Sequence, residues 1–131
     1  MLNLKGIDHI NMRVTNLNES VRFYQQLFNF KEVEAGFSSS NERYKIIGTS
    51  RVAFLALYES NEPIKADHVG HIGFNITNFD EVLNTLKKLK LEVAQYGDVN
   101  GIVNYAHSQS IYILDPDKNE IEISSHFGGA N

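Results

Sequence analysis

The chain has 131 residues, 42% of them hydrophobic, which suits a packed interior and a single domain. Its 12 basic and 16 acidic residues leave a formal charge of −4, which argues against electrostatic capture of nucleic acid as the main task. With no cysteine, the chain has no disulfide, no thiolate metal site and no cysteine nucleophile.

The N-terminal "MLNLKGIDHI" has no long apolar stretch, so no signal peptide is expected. No apolar run approaches the roughly 18 residues of a membrane span. The lack of disulfides fits a cytoplasmic location. Ile10, Met12 and Val14 then alternate with His9, Asn11 and Arg13, a period of two that predicts a half-buried strand. Thr15-Asn16 breaks that pattern, and Asn16 or Asn18 can cap a helix with Glu19 in its first turn. Leu17, Val21, Tyr24 and Leu27/Phe28 recur at helical spacing and predict an amphipathic helix over residues 18–28. Phe30 and Val33 lead into a further strand. "RYKIIG" (43–48) and "RVAFLALYE" (51–59) read as strands joined by a turn at Gly48-Thr49-Ser50.

After a linker at 60–67 that contains Pro63, the phrase returns. Residues 9–19 read "HINMRVTNLNE" and 68–81 read "HVGHIGFNITNFDE", with His, Ile, Thr, Asn and Glu identical at an offset of 62 residues. Ile72, Phe74 and Ile76 alternate with His71, Gly73 and Asn75. Phe79, Val82/Leu83, Leu86 and Leu89 predict a helix over 79–90, and Leu91 and Val93 a following strand. "KKLK" (87–90) reads as a solvated helix face. "SIYILDPDKNEIEIS" (110–124) is the strongest hairpin signal, two strands flanking a turn rich in Pro, Asp and Asn. Each half therefore reads βαβββ. A lone unit of this kind has one helix for a small sheet, whereas two copies can cover both faces and leave a concave surface for function.

Strand alternation sorts the side chains. If Ile10, Met12 and Val14 face the helix, His9, Asn11 and Arg13 face away, and so do His71, Gly73 and Asn75. Ile121 and Ile123 place Glu120, Glu122 and Ser124 on that same side. Imidazoles and a carboxylate there form a set able to bind Zn²⁺, Fe²⁺, Mn²⁺ or Ni²⁺ with open positions. The alternative is ordinary hydrogen-bonded strand histidines and a solvated hairpin glutamate; the recurrence of His9 and His71 in two copies favours the metal. His68, three residues before His71, falls on the opposite strand face or in the loop ahead of it, and His126 lies in a Gly-rich tail.

The segments "GIDHINMRVTNLNESVRFYQQLFNF", "GHIGFNITNFDEVLNTLKKLKLEV" and "SIYILDPDKNEIEIS" resemble the three signature segments of the vicinal oxygen chelate superfamily. That superfamily holds glyoxalase I, methylmalonyl-CoA epimerase, fosfomycin-resistance proteins, extradiol dioxygenases and bleomycin-resistance proteins. The resemblance implies an α+β fold of paired βαβββ modules, about 5–60 and 67–127, within one domain spanning 1–131. It implies a curved, partly open mixed-sheet barrel around a metal-binding cavity, with the helices outside. A divalent metal (Mn, Zn, Ni or Fe) would sit on His9, His71 and Glu122, the last chosen over Glu120 by the Ile-Glu-Ile match. The further carboxylate ligand of glyoxalase I falls on Ala56, which cannot ligate, so a three-ligand pattern like that of the fosfomycin-resistance proteins or dioxygenases is implied instead.

The same resemblance implies a metal-dependent enzyme that chelates two oxygens of a small substrate: an isomerase, lyase or epoxide-opening enzyme. The alternatives are a ring-cleaving dioxygenase and a non-catalytic protein that binds a drug or metabolite. Bleomycin-type binders usually lack the triad retained here. Glu42 in "SSSNERYKII" occupies the place of a general base in the epoxide-hydrolysing subgroup, with a solvent-exposed loop glutamate as the alternative. His107, near Tyr112, is a second candidate acid/base. Asn11, Arg13, Asn75 and Tyr112 are candidates to line the pocket, and Arg13 could instead pair with a carboxylate. "GDVNGIVNYAHSQS" lacks the basic residues expected for a phosphonate, which argues against fosfomycin itself as substrate. Relatives of this size often form homodimers, implying sites shared between chains, with His9 from one and His71 plus Glu122 from the other.

Overall fold

The structure, a computed structural model, describes residues 1, 3, 9–50, 53–64, 71–105 and 108–125. It falls into two compact units, Met1–Lys65 and Ala66–Asn131. The fold is α+β, and each unit holds a four-stranded mixed sheet.

In the first unit, β1 (Ile10–Val14), α1 (Leu17–Phe28), β2 (Lys31–Phe37), β3 (Arg43–Thr49) and β4 (Ala53–Glu59) follow one another. The sheet order is β1-β4-β3-β2, with β1 parallel to β4 and the other pairs antiparallel. Alternation holds along β1: Asn11 and Arg13 are exposed and Val14 is buried. Val14, Leu55, Leu57 and Ile47 join Leu17, Val21 and Tyr24 of α1 in the buried core. Burying a side chain of this size fully is worth about 1.5–3 kcal/mol, so this set dominates the unit's stability.

The helix begins where its sequence supplies caps. Asn16 Oδ1 accepts the Glu19 N–H at 3.0 Å, and Glu59 Oε2 accepts the Leu17 N–H at 2.8 Å. Two of the four N–H groups without helical partners are thus satisfied. Glu59 also receives Arg43 through Nε at 3.1 Å and Nη2 at 3.0 Å. The Arg43 hydrogen bond, followed by the Leu17 N–H, holds the Glu59 carboxyl below its usual range. Asn29 ends the helix in the left-handed conformation, with φ 55°.

The second unit contains β5 (Ile72–Asn75), a 3-10 turn (Phe79–Glu81), α2 (Val82–Lys88), β6 (Val103–Asn104), β7 (Gln109–Leu114) and β8 (Glu120–Ser124). Its order, β5-β8-β7-β6, matches the first unit, again with a parallel first pair. Ile111, Ile113, Ile121 and Ile123 are buried, as are Val82 and Leu86 of α2.

Two expectations need correction here. The helix predicted over 79–90 is a 3-10 turn followed by only seven α-helical residues. Asn78 makes no cap to the backbone; its Nδ2 donates to Glu81 Oε2 instead. The strand predicted from Leu91 and Val93 is reduced to a single bridge, Val93 to Ile113, before the chain leaves the sheet. It leaves because Asp98, Asn100 and Gly101 form a closed turn. Asp98 Oδ1 accepts the N–H groups of Asn100 and Ile102, at 2.8 and 2.9 Å, and Gly101 adopts φ +82°. The chain rejoins the sheet at Val103 opposite Ser110.

The hairpin between β7 and β8 is built on Asp115, which is only 2% exposed. Its Oδ1 accepts the N–H groups of Asp117 and Asn119, and its Oδ2 accepts Asn119 Nδ2, all at 2.8–2.9 Å. Lys118 takes the left-handed position, with φ 67°. Among the described residues, no helix is long and apolar enough to cross a membrane.

Candidate functional site

In the second unit, the sheet face turned away from the buried isoleucines gathers the chemistry. His71 stands immediately before β5, and β5 pairs in parallel with β8 so that Gly73 lies opposite Glu122. The imidazole crosses to the neighbouring strand: His71 Nε2 is 2.9 Å from Glu122 Oε2. Gly73 leaves the carboxylate uncovered, since even a methyl group there would lie 3.7 Å from Glu122 Oε2. On the other side, Ser110 of β7 is fully buried, and its hydroxyl donates to Glu122 Oε1 at 2.6 Å. One carboxylate oxygen is thus anchored and the other faces the imidazole.

Tyr112 pairs directly with Glu122 across β7 and β8. Its ring meets His71 edge-on at 5.7 Å and Tyr96 at 5.3 Å. Its hydroxyl is 2.7 Å from that of Tyr105. Burial above all, then the Tyr105 hydroxyl and the nearby Glu122 charge, raise the Tyr112 pKa. The phenol therefore stays protonated at neutral pH and serves as a hydrogen-bonding group rather than as a base. Tyr96 donates to Glu120 Oε2 at 2.5 Å, and that bond raises the Tyr96 pKa.

The donor set can be tested for a divalent ion. A neutral imidazole nitrogen and a carboxylate oxygen suit Zn²⁺, Mn²⁺ or Fe²⁺. Two ligands at right angles in an octahedral shell, each about 2.1 Å from one ion, are about 3 Å apart. The 2.9 Å between His71 and Glu122 matches that spacing, and Ser110 supplies the outer hydrogen bond that fixes a ligating carboxylate. The pair fits a metal. Among the described residues, no three His, Asp or Glu side chains are gathered closely enough to hold an ion.

In the first unit, His9 is exposed just ahead of β1. Asn11 pairs with Ala56 and Arg13 with Tyr58. The Arg13 guanidinium forms an ion pair with Glu42 Oε1 at 2.5 Å, so the candidate base and the candidate pocket arginine are partners. Asn75 is exposed and pairs with Ser124. The readings for His107, His68 and His126 lie outside the described residues. The sequence reading missed Ser110 and Tyr96. Ser110 was accessible through alternation, two residues before Tyr112 in "SIYIL"; Tyr96 carried no signal, because it lies in the turn-forming segment that replaces the expected strand.

Two βαβββ units, the second bearing histidine, carboxylate and tyrosine on one sheet face, define a duplicated α+β scaffold. The chain belongs to the Glyoxalase/Bleomycin resistance protein/Dioxygenase superfamily, whose family model matches residues 6–123. It is similar to the trivalent organoarsenical cleaving enzyme of Bacillus sp. (strain MD1), with 28% identity over 116 residues, covering 87% of this chain and 69% of the relative. It is also similar to the fosfomycin resistance protein FosX of Listeria monocytogenes, with 25% identity over 127 residues, covering 92% and 89%. A crystal structure of a FosX variant from that organism, complexed with Mn(II) and 1S,2S-dihydroxypropylphosphonic acid, shares the fold with a TM-score of 0.74, at 22% identity over 95% of each chain. A glyoxylase/bleomycin resistance protein/dioxygenase domain from Frankia sp. EAN1pec reaches a TM-score of 0.77 at 17% identity, over 93% of this chain and 98% of that one.

Proposed function

We propose that this chain is a metal-dependent enzyme that isomerises, cleaves or ring-opens a small, oxygen-rich substrate, with the ion held by His9, His71 and Glu122. The observation that carries this reading is the approach of His71 Nε2 to Glu122 Oε2, with Ser110 anchoring the other carboxylate oxygen. A divalent ion bound there would polarise two neighbouring oxygens of the substrate and stabilise negative charge on them. The protein's own groups orient the substrate. Tyr112, kept protonated, offers a hydrogen bond beside Glu122, and Asn75 and Asn11 add neutral polar contacts. Arg13 fixes Glu42, which together with His107 remains the candidate for moving a proton. The substrate's donors are expected to be hard oxygens. A soft centre such as trivalent arsenic is best held by thiolates, and these 131 residues contain no cysteine.

Elemental analysis of purified protein tests the reading. About one divalent ion per site in the wild type, lost in His71→Ala, supports it. A metal-free wild type that still binds a small ligand would instead identify a sequestering protein. Homodimers with shared sites are part of the proposal, with His9 from one chain and His71 plus Glu122 from the other. Mixing His9→Ala with Glu122→Ala chains should then restore a fraction of the metal sites, and no recovery would place each site within one chain.

A further inference from the structure

The second unit holds a side-chain arrangement that the ligand set leaves unexplained. With Nε2 of His71 turned to Glu122, the other ring nitrogen, Nδ1, faces Glu120, whose Oε1 lies 3.9 Å away. That is too long for a direct hydrogen bond but within reach of charge–dipole attraction or a bridging water. Glu120 and Glu122 are two residues apart on β8 and so share a face, and one imidazole from the adjacent strand addresses both. The remaining oxygen of Glu120, Oε2, accepts the Tyr96 hydroxyl at 2.5 Å.

Tyr96 is exposed, but its ring packs edge-on against Tyr112, and it stands two residues before the turn closed by the Asp98 carboxylate. Gly97 is required there, because a Cβ would come within 1.9 Å of the Ile102 carbonyl oxygen. The first unit has no such segment. Its β2 pairs from Glu32, opposite Ile47, to Gly36, opposite Tyr44. The corresponding stretch of the second unit runs from Val93, opposite Ile113, to Val103, opposite Ser110, and is six residues longer. Those extra residues carry Tyr96 to Glu120.

We infer that Glu120 and Tyr96 are positioning residues for His71: Glu120 holds the proton of the imidazole on Nδ1, leaving the Nε2 lone pair free, and the inserted turn delivers Tyr96 to hold Glu120 in place. This rests on His71 being a metal ligand. The physical reason is general: a carboxylate facing the non-ligating nitrogen fixes the tautomer and ring orientation and makes the ligand more basic, and its loss typically weakens metal binding about 10–100-fold.

The test is Zn(II) titration of the full chain as wild type, Glu120→Gln, Tyr96→Phe and the double variant. Glu120→Gln should weaken Zn(II) binding about tenfold or more. Tyr96→Phe should weaken it by less, and the double variant should be no worse than Glu120→Gln, because Tyr96 acts only through Glu120. In the Zn(II)-loaded wild type, the imidazole NMR spectrum should show His71 protonated at Nδ1, with that proton exchanging faster with water in Glu120→Gln. Wild-type affinity in Glu120→Gln, or fully additive losses, would overturn the inference while leaving the metal reading intact. A wild type that takes up no Zn(II) or Mn(II) would overturn both. Should Glu120→Gln not fold, Tyr96→Phe, which keeps its ring against Tyr112, decides the matter: unchanged Zn(II) affinity there refutes the role.

Discussion

The two βαβββ units share a frame and differ in what they hang on it. In both, the first strand pairs in parallel with the last, at the same register: Asn11 lies opposite Ala56, and 62 residues later Gly73 lies opposite Glu122. The small residue has changed sides. In the first unit the edge strand carries the larger polar side chain and the neighbour is a 3% exposed alanine; in the second the edge strand is bare and the neighbour is a carboxylate. The cross-strand partner follows suit. Ile46 lies opposite Ala56, where Tyr112 lies opposite Glu122. One step further along, the first unit stacks Tyr44 on Tyr58 with ring centroids 5.0 Å apart, where the second has Ser110 opposite Ser124. A duplicated backbone therefore does not duplicate a site. Differences at these five positions on one sheet face make the first copy an aromatic surface and the second a histidine–carboxylate centre.

The connections differ as well. Helix α1 runs for 12 residues with its first turn capped by Asn16 and Glu59, whereas α2 manages seven after a 3-10 turn and has no side-chain cap to its backbone. Short helices gain little from internal hydrogen bonds, so capping and burial decide their length. The second unit's hairpin is held by buried Asp115, whose carboxylate accepts from Asp117 and Asn119.

These contrasts can be broken one at a time. The largest effect should come from giving the second unit the first unit's residue. Glu122→Ala removes the proposed carboxylate ligand and leaves the Ser110 hydroxyl buried without its acceptor, so stoichiometric metal should be lost in elemental analysis while His71 remains. Retained metal would show that the carboxylate is not a ligand. Next, Asp115→Ala strips three hydrogen bonds from a buried carboxylate, and urea unfolding should report a loss of about 3 kcal/mol. A loss below about 1 kcal/mol would mean the turn holds without it. The smallest effect is a paired one. Asn16→Ala should cost about 1 kcal/mol, whereas Asn78→Ala, whose side chain caps no backbone N–H, should cost a few tenths. Equal losses would contradict the difference in capping.

Much of this was legible in the sequence. Period-two alternation placed β1, β5 and β8, the turn-rich hairpin signal added β7, and alternation separated His71 and Glu122 from the buried isoleucines, because a strand sends successive side chains to opposite faces whatever surrounds it. The repeat revealed that the two units correspond. The signature segments pointed to the superfamily to which the chain belongs. What alternation could not supply was distance across strands. That His71 reaches Glu122, that Ser110 anchors it and that Arg13 closes on Glu42 depend on register and rotamer, which only the folded sheet fixes. Tyr96 is the clearest case. Leu91 and Val93 look like the start of a strand, and local propensity favoured one. The turn closed by Asp98 and the tight approach at Gly97 prevailed, lifting six extra residues out of the sheet and carrying a tyrosine to the carboxylate beside the histidine.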